Sequence, residues 1–171
     1  MFEPLAHWHE FFLLVGTAAA ALVALLFVAA SIGAGFLNAE RASNTRTYMS
    51  PVVVHFTSVL FACAIGLVPS HTRVSLSVVL AVSALGAGTY SMMILVTVLK
   101  RAAVDWGDRF AYAIAPVIGY IAGLVAAGMF FVGSHRAADV LAAAIMLLLV
   151  VNVRNAWDLM LFLAGKHADP S

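Results

Sequence analysis

The chain is almost without cysteine and poor in charge. Cys63 is its single cysteine, which excludes an intrachain disulfide and argues against a cysteine-held metal cluster. Charged residues fill 10% of 171 positions, where a soluble domain carries about a quarter. With a net charge of +1 and neither a basic tail nor an acidic block, there is nothing for a nucleic acid to hold. Met1 to Glu10 contains no Lys or Arg, and the apolar run that follows outlasts a signal-peptide core, so that run is expected to remain as a helix. Also missing are a Ser-His-Asp order, an H-E-x-x-H helix, a paired-carboxylate motif and a phosphate-cradling glycine loop. Nothing in the sequence therefore supports an enzyme, whether acting on lipid or on a small apolar substrate. No cofactor is expected either, because a bis-histidine haem would need a second intramembrane His opposite His55.

What the chain has instead is apolar surface. Hydrophobic residues make up 64% of it and the mean hydropathy is +1.03, the composition of a polytopic membrane protein. Five runs are long enough to cross a hydrocarbon layer about 30 Å thick: 11–36, 51–69, 74–99, 110–132 and 137–163. The fold class expected is an all-α bundle of five transmembrane helices. No period of 20 to 50 residues recurs and no linker sets off a soluble part, so 1–171 reads as one membrane domain. An odd helix count also argues against a simple inverted duplication.

The short connections set an orientation. The segment before the first run and the turns holding Arg73 and Arg136 carry two Lys or Arg, whereas the opposite side carries six: Arg41, Arg46, Lys100, Arg101, Arg109 and Lys166. The positive-inside rule then puts the N-terminus outside and the C-terminus inside. Segment 38–50 becomes a cytoplasmic loop, 100–109 a second one, and the two very short outer turns predict antiparallel hairpins. The localisation expected is a bacterial inner membrane.

Inside a bilayer, small residues mark helix contacts. Gly119 and Gly123 stand at G-x-x-x-G spacing, Gly16, Ala20 and Ala24 at four-residue steps, and Ser83, Gly86, Ala87 and Gly88 near mid-span of the third run. These faces fit packing within the monomer or a contact between subunits. An 18.0 kDa chain has little interior for a water-filled path, so transport would favour a homo-oligomer.

The most unusual stretch is Asn152 to Asp158. Twelve residues without a hydrogen-bonding side chain, Val140 to Val151, precede it, and Leu159 to Leu163 is apolar again. Charged groups at a helix centre cost about 2.5 to 3.5 kcal/mol each, so they usually face protein or water. Asn152, Asn155 and Asp158 follow three-residue steps, and Arg154 precedes Asp158 by four, within pairing reach. At similar depth the second run opens with Pro51, suited to a first helical turn, and continues with His55, Ser58, Ala62 and Gly66 on one face. The loop before the fourth run supplies Asp105, Trp106, Asp108 and Arg109, with Tyr112 just inside. Pro116 removes a backbone donor and leaves a carbonyl free, and Tyr120 lies one turn deeper.

Taken together, P-x-V-x-H-F at Pro51 to Phe56, D-W at Asp105 and Trp106, P-x-x-x-Y at Pro116 to Tyr120 and N-A-W-D at Asn155 to Asp158 resemble a family of uncharacterised small bacterial integral membrane proteins with five helices. W-x-E-F at Trp8 to Phe11 resembles its first helix. The family pattern has His directly before N-A-W-D, where this chain has Arg154. The resemblance implies that the polar residues at the inner ends belong to one constellation.

Two functions follow as expectations. One is an oligomeric channel or transporter for a monovalent cation, a proton or a small solute. In it His55 and Asp158 would be charge-bearing groups, Asn152 and Asn155 neutral ligands, Arg154 the partner of Asp158, and Asp105 and Asp108 the mouth. The other is a non-transporting regulatory or assembly subunit in which the same residues, Tyr112 and Tyr120 included, hold helices together and mark the interface. On the outer side His7, His9, Glu10, His71 and His135 are of types that ligate zinc or copper, although scattered interfacial histidines explain them more simply.

Overall fold

The computed structural model describes the backbone of residues 5, 7–34, 39–100 and 106–165, and the side chains of these except 32–34, 39–50, 106, 108 and 162–165. The described residues are helical, with no strand among them. Five long helices follow in order: α1 (His9–Ala34), α2 (Ala39–Leu67), α3 (Arg73–Leu99), α4 (Ala115–Phe131) and α5 (Ala137–Gly165). A turn of helix, Trp106–Arg109, and a π-helical segment, Phe110–Ile114, lead into α4.

Four stretches are long and apolar enough to cross a membrane: His9–Ser31, Arg73–Leu99, Phe110–Phe131 and Ala137–Leu161. The apolar part of α2, Pro51–Leu67, is shorter. This helix departs most from the sequence expectation. The loop placed at 38–50 is helical from Ala39, and Pro51 lies inside α2 instead of opening it. Proline withholds a hydrogen bond from the carbonyl four residues earlier and crowds it with its ring, and here the helix continues through that position without ending.

The two tight turns at one end of the bundle are built differently. Thr72 caps α3 in a reciprocal box: its hydroxyl accepts from the Ser75 N–H at 3.1 Å, and its own N–H donates to Ser75 Oγ at 2.9 Å. The turn after α4 is a Schellman motif, with Ser134 N–H on the Met129 carbonyl at 2.9 Å and Gly133 N–H on the Phe130 carbonyl at 3.0 Å. Its left-handed position, φ 76°, is held by Gly133, as the motif requires.

Neighbours run α1, α2, α5, α4, α3 across the bundle, with α2, α4 and α5 in the middle. Accordingly 50% of the α4 span and 44% of the α5 span are buried, against 28% for α1 and 17% for α3. Towards the turn end the interior is apolar: Phe12, Val59, Cys63, Leu76, Leu80, Phe130 and Leu141 form one cluster. Apart from Ser77 near the start of α3, the buried polar side chains of the described residues gather towards the opposite end, where Pro51 and Arg109 lie.

Candidate functional site

Three hydrogen-bonded rungs cross the seam between α2, α4 and α5. The first begins with Pro116. The Ala115 N–H bonds the carbonyl of Phe110, five residues back, so it is not available to the Ala111 carbonyl. The next residue in π register is Pro116, which has no N–H to give. The Ala111 carbonyl, left over by the wide turn, accepts from Asn155 Nδ2 at 3.1 Å. Tyr112 adds a second tie between the same elements, its hydroxyl donating to the Asn155 carbonyl at 3.3 Å.

The second rung lies one turn along α5, where Asn152 Nδ2 donates to the Val52 carbonyl of α2 at 2.8 Å. A carbonyl has two lone pairs, so Val52 can accept this bond beside its helical one. The third rung lies one turn along α2. His55 Nδ1 is 2.8 Å from the Tyr120 hydroxyl, which is 3.1 Å from Ser58 Oγ, which in turn donates to the Val54 carbonyl at 2.8 Å.

Proton counting along this chain sets the histidine tautomer. Ser58 spends its one hydrogen on a carbonyl, so its oxygen accepts from Tyr120. Tyr120 has then spent its own, and its oxygen accepts from His55. Neutral His55 therefore carries its hydrogen on Nδ1, and Nε2 is a bare acceptor. The same logic orients both carboxamides. Each turns its NH2 group to a backbone carbonyl, an acceptor only, so each Oδ1 points elsewhere. His55 Nε2, Asn152 Oδ1 and Asn155 Oδ1 are all buried and lack a hydrogen-bond partner, on side chains that are 1%, 1% and 2% exposed. Leaving a buried acceptor unmet costs about 1–3 kcal/mol.

The structure divides the polar stretch of α5 in two. Asn152 and Asn155 face inward, whereas Arg154 and Asp158 pair across 3.8 Å on the far side, with side chains 51% and 37% exposed. Trp157 stands beside them in the open. Six steps of about 100° leave Asp158 about 120° round the helix from Asn152, off the inward face. Asp105 lies outside the described residues, and of Asp108 only the helical backbone is described.

At the turn end, His7, His9, Glu10 and His135 are exposed, and His71 is half-buried with Nδ1 3.1 Å from Ser75 Oγ. No three metal-ligating side chains come together among the described residues. Ser91 is one buried polar residue that the sequence reading passed over, and its Oγ has no partner. It stands seven residues, or two turns, beyond Ala84 on the buried line of Ser77, Leu80 and Ala84 on α3, a helical spacing that was there to be read.

The chain matches no protein-family model, no curated protein and no solved structure. Fold and site define its class without them: an all-helical protein with the long apolar helices of a multi-pass membrane protein and a polar ladder buried between three of them.

Proposed function

We propose that this chain moves a small cation, a proton or a small solute across a bacterial inner membrane, as a homo-oligomer, with the ladder as its inner lining. The observation that carries this reading is the trio of buried acceptors without partners, His55 Nε2, Asn152 Oδ1 and Asn155 Oδ1. A cluster serving only to join helices has no use for them, whereas a passing donor or cation does. The positive-inside count makes the turn end external and the Pro51 end cytoplasmic, and the shared motifs support membership of the small five-helix family described above. α2 would then be the fifth span, its apolar part extended by the helical turns before Pro51.

Within one protomer the ladder meets the apolar cluster around Cys63 and Leu80 beyond Tyr120. A path through the protomer is therefore closed externally in this conformation, as in a transporter between access states. Asp158 can line a path only between protomers or at the lipid interface, given its outward face. Flux into liposomes tests the reading: purified protein should pass protons or a monovalent cation, and Asp158→Asn should alter the rate. Wild-type protein without flux across ions and pH values would overturn it.

One observation favours the second reading, a non-transporting regulatory or assembly subunit. The bonds at 3.1 Å and 2.8 Å from Asn155 and Asn152 run to backbone carbonyls of neighbouring elements, which is how polar residues lock transmembrane helices. If His55→Ala and Asn152→Ala lower the melting temperature in detergent while wild type shows no flux, that reading holds.

A further inference from the structure

The three partnerless atoms of the ladder share one chemical property: each accepts, and none donates. Whatever meets them must bring hydrogens or positive charge, and no negative charge. They are also strung out. Asn155 to Asn152 on α5, and Val52 to His55 on α2, are successive steps of three residues, each about 4.5 Å of helix rise. A single ion does not touch all three rungs at such spacing, but a file of waters does, since two consecutive hydrogen bonds through one water span about 5.6 Å. The three acceptors differ in basicity as well. A carboxamide oxygen takes up no proton near neutrality, whereas an imidazole nitrogen does. The innermost acceptor, His55 Nε2, is the imidazole, and beyond it the interior is hydrocarbon.

We propose that the ladder is a water-filled half-channel, entered at the Arg109 end, that loads a proton onto His55 Nε2. This rests on the permeation reading and names its substrate class as the proton. In the loading step a hydrated proton forms an N–H bond at Nε2 and leaves a neutral water in the file. His55 becomes imidazolium, and its Nδ1–H stays on the Tyr120 oxygen; no electron is transferred. Among the described residues, the groups around it leave the step to His55. From α4 the titratable neighbour is Tyr120, whose hydroxyl hydrogen is engaged by Ser58. α5 brings Asn152 to the neighbouring Val52 carbonyl, α1 packs Leu22, Val23 and Leu26 against Val52 and Phe56, and α3 places Gly88 against Tyr120. The charged pair of α5, Arg154 and Asp158, is on the exposed face.

Nitrogen-15 NMR of the full chain in lipid nanodiscs, labelled at histidine and read as the difference from His55→Gln, tests this without transport. The expected spectrum near pH 8 has a protonated Nδ1 and a bare Nε2 in contact with water, and Nε2 takes up a proton reversibly on acidification. In Asn152→Leu and Asn155→Leu the water contact disappears and protonation slows by about an order of magnitude. Should either variant fail to fold, Asn155→Ser supplies the intermediate case. A dry Nε2, the opposite tautomer, or a histidine that stays neutral down to the pH at which the protein unfolds overturns the proposal. Proton loading in a protein without flux would overturn the permeation reading alone; flux with a dry His55 would overturn the half-channel alone.

Discussion

Asn155 is held to its task by the hydrogens its carboxamide supplies. Its NH2 meets a carbonyl that the backbone cannot serve, and this requires a donor. Asn155→Ala should therefore lower stability by about 1–3 kcal/mol, the cost of an unmet buried carbonyl. Asn155→Asp should be worse, because a carboxylate brings charge against that carbonyl and has no hydrogen for it. Thermal unfolding in detergent, followed by helical circular dichroism, reads both, and Asp no worse than Ala would contradict the assignment. Asn152, Asn155, His55 and Tyr120 could be picked out in the sequence because polar groups in apolar runs are conspicuous. Arg154 and Asp158 were conspicuous for the same reason, and the sequence reading grouped them with the asparagines. Each three-residue step slips about 60° round a helix, so Asn155 stays near the inward face of Asn152 while Asp158 has left it. What no composition can show is where the Nδ2 hydrogens go, since the acceptors are the main-chain carbonyls of Val52 and Ala111.

At the scale of the element, the π segment before α4 follows from Pro116 and is completed by α5. Pro116→Ala restores an N–H in the place where the wide turn lacks one, so the Ala111 carbonyl then has a second suitor. The cost of Asn155→Ala should accordingly shrink in the Pro116→Ala background. A double-mutant cycle measures this, and simple additivity of the two changes would sever the link between proline and asparagine. The sequence reading anticipated a freed carbonyl at Pro116; the wide turn that shifts it to Ala111 depends on the 110–114 register, which apolar patterning leaves undetermined. Small residues show the same mixture. A Cβ on Gly119 would lie 2.7 Å from Leu148 Cγ, whereas on Gly123 it would make ordinary contact at 3.6 Å with Ala84. Gly119→Ala should thus destabilise by about 1–3 kcal/mol through overpacking, while Gly123→Ala should be neutral or slightly stabilising through helix propensity. Equal melting shifts for the two would show that α4 and α5 are not seated as described. Spacing alone could not separate them, nor tell that Ala20 and Ala24 of the α1 stripe are exposed while Gly16 packs on Cys63. Both glycines of a G-x-x-x-G pair look alike until the neighbouring helix is known.

For the molecule as a whole, polarity is divided along the bundle axis: rungs towards the Arg109 end, and a closed apolar cluster towards the turns. The single cysteine lies inside that closure. Cys63 is fully buried, with Gly16 of α1 so close that a Cβ there would approach its own Cβ to 3.1 Å. At rest a thiol reagent added from either side should leave it unmodified. If the protomer alternates access, α1 and α2 must part near this point for the ladder to reach the turn end, and Cys63 becomes the native reporter of that opening. The expected outcome in proteoliposomes is slow labelling without a gradient and markedly faster labelling during proton-driven turnover, with the reagent effective from the turn side. A permeation path between protomers predicts the opposite, because the helices within each protomer stay closed and Cys63 stays protected while flux continues. Mass spectrometry of intact protein separates the two in one experiment on unmutated chains. The result bears directly on α1: with 28% of its span buried, it is the moving wall of a gate if Cys63 is exposed during turnover, and a fixed, mostly outward-facing helix if Cys63 stays protected.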